Sequence, residues 1–281
     1  MAPIGVFDSG VGGLTVLRAL RAALPAEDFI YLGDTARLPY GTKSPETVVR
    51  YSLQCAAALI ERGIRCLVVA CNTASASALD ALRSRYPAIP IIGVIEPGAA
   101  AAVAVSASLN IAVIATEGTI AGSAYQTAIR RLNPDARVTA SACSLFVSMA
   151  EEGWIDGPIA EAVAHRYLDP IFFPAGAGRG HTAAVRRGVP GAIPDTLVLG
   201  CTHFPALSAA IRAALPEHVC IVDSAATTAA AVSLQLPAKG SPHARGGVRW
   251  LATDGAARFA RVSSTFLGHA LAVDEIEIVD L

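Results

Sequence analysis

Charge is scarce in this chain. Of 281 residues only 16% are charged, the signs nearly cancel (22 basic against 23 acidic, net -1), and no block of Lys or Arg occurs. A nucleic-acid binder or an anionic-membrane binder needs a basic surface, so the composition argues against both. Aromatic residues make up only 6%. No uncharged apolar run approaches the roughly 18 residues of a spanning helix, although mean hydropathy is +0.49. The start, Met1-Ala2-Pro3-Ile4-Gly5, has neither a basic n-region nor a long apolar core, so a cytoplasmic location is expected. The six cysteines (Cys55, Cys66, Cys71, Cys143, Cys201, Cys220) form no CxxC pair and no Cys/His ligand cluster. Reduced thiols are therefore the default, and no metal is expected.

What is present is apolar and rich in alanine: 53% of residues are hydrophobic, with enough chain for about two domains. Short β-branched runs alternate with longer amphipathic stretches. Ile4 to Phe7, Phe29 to Leu32, Cys66 to Ala70 and Ile91 to Ile95 read as buried strands. Leu14 to Leu24, Pro45 to Arg62 (with Ser44 as cap) and Ala74 to Arg85 read as helices. Strands fed by crossover helices imply a mainly parallel sheet covered on both faces.

The pattern then starts again. Ile111 to Ile114 resembles the first strand, and Ile120 to Leu132 takes the place of the first helix. Leu197-Val198-Leu199-Gly200-Cys201-Thr202 mirrors Leu67-Val68-Val69-Ala70-Cys71-Asn72, with Pro205 to Leu215 read as the following helix. The first strands lie 107 residues apart and the two cysteines 130, leaving 23 extra residues in the second half. Pro174 to Pro194, rich in Gly and Pro, reads as the inserted loop. Weighed against chance similarity among short apolar strands, a duplicated unit is the preferred reading, and the expected architecture is two similar α/β lobes related by a pseudo-twofold, with the active site in the cleft between them. The first lobe is expected to be discontinuous, 1–96 plus 206–281, and the second to span 97–205.

Cys71 and Cys201 each follow a buried strand and precede a helix, the position where open α/β sheets bind ligands. A thiol there faces helix N-terminal amides, which favour the thiolate. Taken singly, either cysteine reads more readily as a packing residue, and Thr73 or Thr202 as an ordinary cap. Two in matching positions point instead to paired chemistry. One thiol would remove a proton from one face of a carbon while the other returns a proton to the opposite face. Asp8, Asp34, His203 and Glu151 are the acids and bases placed near such strand ends. The Gly10-Val11-Gly12-Gly13 loop does not complete GxGxxG, because Thr15 stands at the third position, and no P-loop Lys follows. No nucleotide cofactor is expected, and these glycines are read as letting backbone amides approach a small anion.

Four segments, IGVFDSGVGG (4–13), YLGDTARLPYGTKS (31–44), VACNTAS (69–75) and LGCTHFP (199–205), together resemble the bacterial glutamate racemases of the aspartate/glutamate racemase family. IGVIEP (92–97), ATEGTI (115–120) and the TDG, RFARV and FLG pieces within 253–268 support the match, which spans nearly the whole chain in order. The resemblance implies a cofactor-independent racemase that supplies D-glutamate for peptidoglycan. It implies that Cys71 takes the α-proton of D-glutamate and Cys201 that of L-glutamate. Asp8 would assist Cys71, His203 would assist Cys201, and Glu151 would be a further helper. Ser9, the Tyr40-Gly41 backbone, Asn72, Thr73, Thr116, Thr119 and Thr202 would hold the substrate. Family members often dimerise, so a homodimer is expected.

The family often reads Cys-Pro-Leu-Phe-Val-Pro where this chain has Cys143-Ser144-Leu145-Phe146-Val147-Ser148. Without the two prolines a looser approach to Glu151 is expected. Competing readings are an aspartate or hydantoin racemase of the same superfamily and, in a different class, a non-catalytic amino-acid-binding protein. The last would have no use for paired thiols.

Overall fold

The computed structural model describes residues 2–173, 193–236 and 245–281. Positions 174–192 of the expected insertion lie outside the described residues.

The first half runs β1 (Ile4–Asp8), α1 (Leu14–Ala23), β2 (Phe29–Gly33), α2 (Pro45–Glu61), β3 (Cys66–Val69), α3 (Asn72–Arg85), β4 (Ile91–Gly93) and α4 (Ile95–Val105). The second begins β5 (Asn110–Ala115), α5 (Glu117–Ala121), α6 (Ala124–Leu132), β6 (Arg137–Ala142), α7 (Leu145–Glu151) and α8 (Gly157–Phe172). It continues β7 (Thr196–Gly200), a 3-10 turn at Phe204–Leu207, α9 (Ser208–Ala213), β8 (Cys220–Asp223) and α10 (Ser224–Gln235). The described chain closes with β9 (Val248–Ala252), α11 (Ala256–Leu267) and β10 (Ile276–Ile278).

Two parallel sheets form, ordered β10-β9-β2-β1-β3-β4 and β6-β5-β7-β8. The blocks β2-β1-β3-β4 and β6-β5-β7-β8 have the same order, so the duplication read from the strand-Cys motifs is a duplication of topology. Carrying the Phe7–Val69 pairing two residues onward sets Ser9 beside Cys71. Carrying the Ala115–Gly200 pairing one residue onward sets Thr116 beside Cys201. Central strands such as β1 (IGVFD), β3 and β7 are buried along their full length, as strands covered on both faces must be. The edge strand β6 (RVTASA) has no fully buried position.

Several boundaries differ from those the sequence suggested. The second sheet takes in β8, so the chain remains with that sheet to Asp223, past the return expected after Pro205. The expected helix 120–132 is broken at Gly122-Ser123, where Ser123 takes φ 51, giving α5 and α6. Downstream of Cys201 the chain makes a 3-10 turn before α9 starts at Ser208. Ser44 caps α2 as expected, its Oγ accepting from the Thr47 amide at 3.3 Å with Pro45 in the first turn. The Ala-rich α10 packs on both α1 and α4 and so ties the two sheets together. Among the described residues no helix is long and apolar enough to cross a membrane.

Candidate active site

Cys71 lies two residues past the end of β3 and is the N-cap of α3, its Sγ accepting from the Ala74 amide at 3.4 Å. The thiol donates to Ser9 Oγ at 3.5 Å. The expected depression of its pKa by the helix amides does not occur. Burial, aided by the Asp8 charge, outweighs Ser9 and the Ala74 amide and pushes the thiol up to about 12. At neutral pH Cys71 therefore rests as a proton donor.

Cys201 is placed differently. No α-helix starts directly behind it, and its partner is an imidazole: His203 Nδ1 lies 3.8 Å from Cys201 Sγ. His203 Nε2 faces Glu151 Oε1 at 3.2 Å, and Phe266 of α11 meets the ring edge-on, 5.2 Å between centroids. Burial opposes a charge on this ring, but hydrogen bonds to Cys201 and Glu151, with the charges of Cys201 and Asp8, outweigh it and raise the pKa. For Glu151 burial opposes the charge, yet the His203 hydrogen bond and charge, with a weaker pull from Arg258, hold its pKa below the usual value. Both Glu151 oxygens are engaged, since Arg258 Nη2 lies 2.7 Å from Oε2. The loose approach expected from Ser144 and Ser148 therefore does not leave this carboxylate free. Its anchor is ionic and comes from α11.

Both thiols line one cavity of about 210 Å³ at the C-terminal ends of the two sheets. Ser9, Tyr40, Gly41, Asn72, Thr73, Thr116, Glu151, Thr202 and His203 line it with them. Asp8 and Thr119 do not line it. Asp8 sits behind Ser9, with Oδ2 accepting from the Gly10 amide at 3.0 Å and Oδ1 buried without a partner. Burial raises the Asp8 pKa against the His203 charge and the amides of Gly13, Gly10 and Ser9. Thr119 stands behind the wall in a hydroxyl triangle that joins the lobes. Its Oγ1 lies 3.2 Å from Thr73 Oγ1 and 3.1 Å from Thr116 Oγ1, and those two are 3.0 Å apart.

Two glycines are set by close approach between the lobes. A Cβ on Gly41 would come within 2.8 Å of Thr116 Cβ. A Cβ on Gly12 would collide with the His203 ring and would lie 2.5 Å from Thr202 Oγ1. The Gly10–Gly13 loop thus seats the Cys201 motif, a role that its sequence reading as an anion loop did not contain. Thr15 Oγ1 completes this seat by donating to the Thr202 carbonyl at 3.1 Å.

Asp34 lies outside the cavity and holds the segment that brings Tyr40 into its wall. The Tyr40 hydroxyl donates to Asp34 Oδ2, Thr253 Oγ1 donates to Oδ1 at 2.9 Å, and Arg37 Nε reaches both oxygens. The sequence marked Asp34 and the TDG piece without linking them. It also did not single out Leu38, Thr42 or Val147, which line the cavity, or Arg258.

Chemically, the polar groups of the wall are hydroxyls, amides, two thiols, the His203 imidazole and the Glu151 carboxylate, with Leu38, Pro39 and Val147 beside them. No Lys or Arg lines it among the described residues. Asn72 Nδ2 is buried without a partner, a donor left for a ligand acceptor such as a carboxylate. No group of three His, Cys, Asp or Glu among the described residues is placed to hold a metal ion.

The Asp/Glu/hydantoin racemase family model matches residues 4–168. A glutamate racemase of Geobacter metallireducens is 50% identical over 273 residues, covering 95% of this chain and 93% of its own. That of Aquifex aeolicus is 43% identical over 266 residues, 95% of this chain and 94% of its own. Among solved structures, a glutamate racemase from Bacillus anthracis superimposes with a TM-score of 0.87 at 35% identity, covering 100% of this chain and 98% of the other. One from Francisella tularensis, in complex with D-glutamate, gives 0.84 at 35% identity, covering 99% and 97%.

Proposed function

The chain belongs to the Asp/Glu/hydantoin racemase family, and from that membership we propose that it interconverts L- and D-glutamate through two cysteines. The observation that carries the reading is the placement of Cys71 and Cys201, one from each sheet, on the wall of a single cavity.

From L-glutamate, the Cys201 thiolate takes the α-proton and becomes a thiol, the C–H electron pair staying on the α-carbon. The Cys71 thiol then gives its proton to the opposite face and becomes the thiolate. From D-glutamate the same steps run in reverse. His203, held cationic, stabilises the Cys201 thiolate, as its 3.8 Å contact and raised pKa allow. On the Cys71 side the nearby groups are Ser9, which accepts from the thiol, and the buried Asp8 carboxylate behind it. From behind the wall, the Asp8 charge favours the protonated Cys71 thiol and makes the Cys71 thiolate the stronger base. The substrate carboxylates are received by Asn72 Nδ2, Ser9, Thr73, Thr116, Thr202 and the Tyr40-Gly41 backbone, with Thr119 bracing two of these hydroxyls. No cofactor is assigned, so carbanion stabilisation falls to these fixed dipoles and to positioning.

The same reading makes D-glutamate supply for peptidoglycan the biological role, the cytoplasm the location and a homodimer the assembly. Each rests on resemblance to bacterial glutamate racemases, and light scattering of the purified chain tests the dimer.

The test of the activity is incubation with L- or D-glutamate in D2O without added cofactor, with aspartate in parallel. Deuterium should enter the α-carbon of glutamate as it racemises. Cys71→Ala and Cys201→Ala should each abolish racemisation while circular dichroism and Tm show a retained fold. Normal turnover by either variant overturns the two-thiol mechanism, and exchange of aspartate alone overturns the substrate.

A further inference from the structure

Arg258 sits in the first turn of α11, packed with the first sheet, and reaches a carboxylate of the other lobe. Glu151 uses one oxygen for each of two partners: Oε2 for Arg258 Nη2 at 2.7 Å and Oε1 for His203 Nε2 at 3.2 Å. The far side of the same imidazole faces Cys201 Sγ at 3.8 Å. A guanidinium, a carboxylate, an imidazole and a thiol thus stand in series, and only the thiol is a reacting atom. Phe266, on the same helix as Arg258, meets the His203 ring edge-on. One first-lobe helix therefore braces both the ring and the carboxylate that orients it. Arg258 is half-exposed and does not line the 210 Å³ cavity, so it has no route to the substrate except through Glu151. Cys71 has no such series, its contacts being Ser9 and the Ala74 amide.

We propose that Arg258 is a positioning residue for the Cys201 half-reaction, holding the Glu151 carboxylate where it keeps His203 directed at the sulfur. The proposal rests on the two-thiol reading above. Arg258 makes and breaks no bond in it. With Arg258 removed, the freed Oε2 lets the carboxylate turn, and the imidazole loses its fixed partner on the side away from Cys201.

Enantiomers are equal in free energy, so a variant must lower kcat/KM equally in both directions, and the rate alone cannot show a one-sided effect. Isotope effects can. Raising only the Cys201 barrier makes its proton transfer more rate-limiting. The isotope effect on α-deuterated L-glutamate then rises, because Cys201 breaks that bond. The effect on α-deuterated D-glutamate falls, because Cys71 breaks that bond before the slow step.

The experiment compares wild type, Arg258→Met and Arg258→Lys in kcat/KM and in both isotope effects. Arg258→Met should lower kcat/KM about two- to five-fold, the scale of a half-exposed ion pair, and move the two isotope effects apart in the stated senses. Arg258→Lys, which keeps the charge, should restore most of both. Isotope effects equal to those of wild type overturn the proposal whatever happens to the rate, and so does a shift in the opposite sense. Failure of the underlying reading looks different: Cys201→Ala would retain racemisation.

Discussion

The Tyr125 hydroxyl, on α6 of the second lobe, donates to Asn72 Oδ1, at the start of α3 in the first, over 2.8 Å. That bond fixes which way the amide points and leaves Asn72 Nδ2 unpaired in the cavity wall. Burial first, then the charges of Cys201 and Asp223, raise the Tyr125 pKa, so the hydroxyl stays a donor. Its ring is held by glycines: a Cβ on Gly98 would lie 3.3 Å from it and one on Gly200 3.0 Å.

Tyr125→Phe keeps the ring and removes only the donor. The amide is then free to flip, and Oδ1 loses its buried partner at a cost of about 1–2 kcal/mol. We expect kcat/KM for glutamate to fall roughly 5- to 30-fold, mostly through KM. Steady-state kinetics in both directions check this. Wild-type KM in the variant would show that the hydroxyl does not orient the amide.

Gly12→Ala should disturb the Cys201 side through packing alone. The new Cβ meets the His203 ring and Thr202 Oγ1, so the Cys201 motif must shift. Overpacking of this kind costs about 1–3 kcal/mol, and activity should fall at least tenfold as the imidazole moves. Gly10→Ala is the control, since its Cβ meets only Leu38 at an ordinary 3.5 Å. Denaturant unfolding and kinetics on both variants decide it. Equal behaviour of the two would rule out close approach as the reason for glycine at position 12.

Stability should decline in alkali. Burial pushes the thiols of Cys66 and Cys143 up to about 12, against the weaker pull of Arg65 on the first and of the Ser141 contact on the second. In the unfolded chain a thiol titrates near about 8.5. Between those values the unfolded chain has released protons that the native chain still holds, so stability falls as pH rises from about 9 towards 12. Urea unfolding at a series of pH values checks the slope, which Cys66→Ala should flatten. A flat wild-type profile across that window would refute it.

How far the sequence carries depends on how local each feature is. The Ser44 cap, the runs that form β1, β2, β3, β5 and β7 and the two strand-Cys junctions are set within a few residues and were legible. The run read to Ile95 ends as a strand at Gly93, and β6, β9 and β10 were not read. The helix break at Gly122-Ser123 and the continuation through β8 were not, because a short β8 (CIVD) carries too little pattern to show which sheet it joins. At the site, the expected wall residues assemble, but Asp8 and Thr119 stand one layer back. Arg258 lies in the RFARV piece, but nothing local shows its link to Glu151, which is 107 residues away.

The amino-acid sequence by itself determined the repeated parallel α/β units, the thiols at matching strand ends and the family resemblance. These follow from periodicity, β-branched runs and short motifs, which are interactions among near neighbours. Only the tertiary structure decided that Cys71 is a buried donor on a helix N-cap, its pKa raised where the helix amides alone would lower it. It also decided that Gly12 makes room for His203 and that α11 holds Glu151. The physical reason is that burial, charge pairing and steric contact across the cleft depend on how the two lobes meet, which no stretch of either lobe encodes alone.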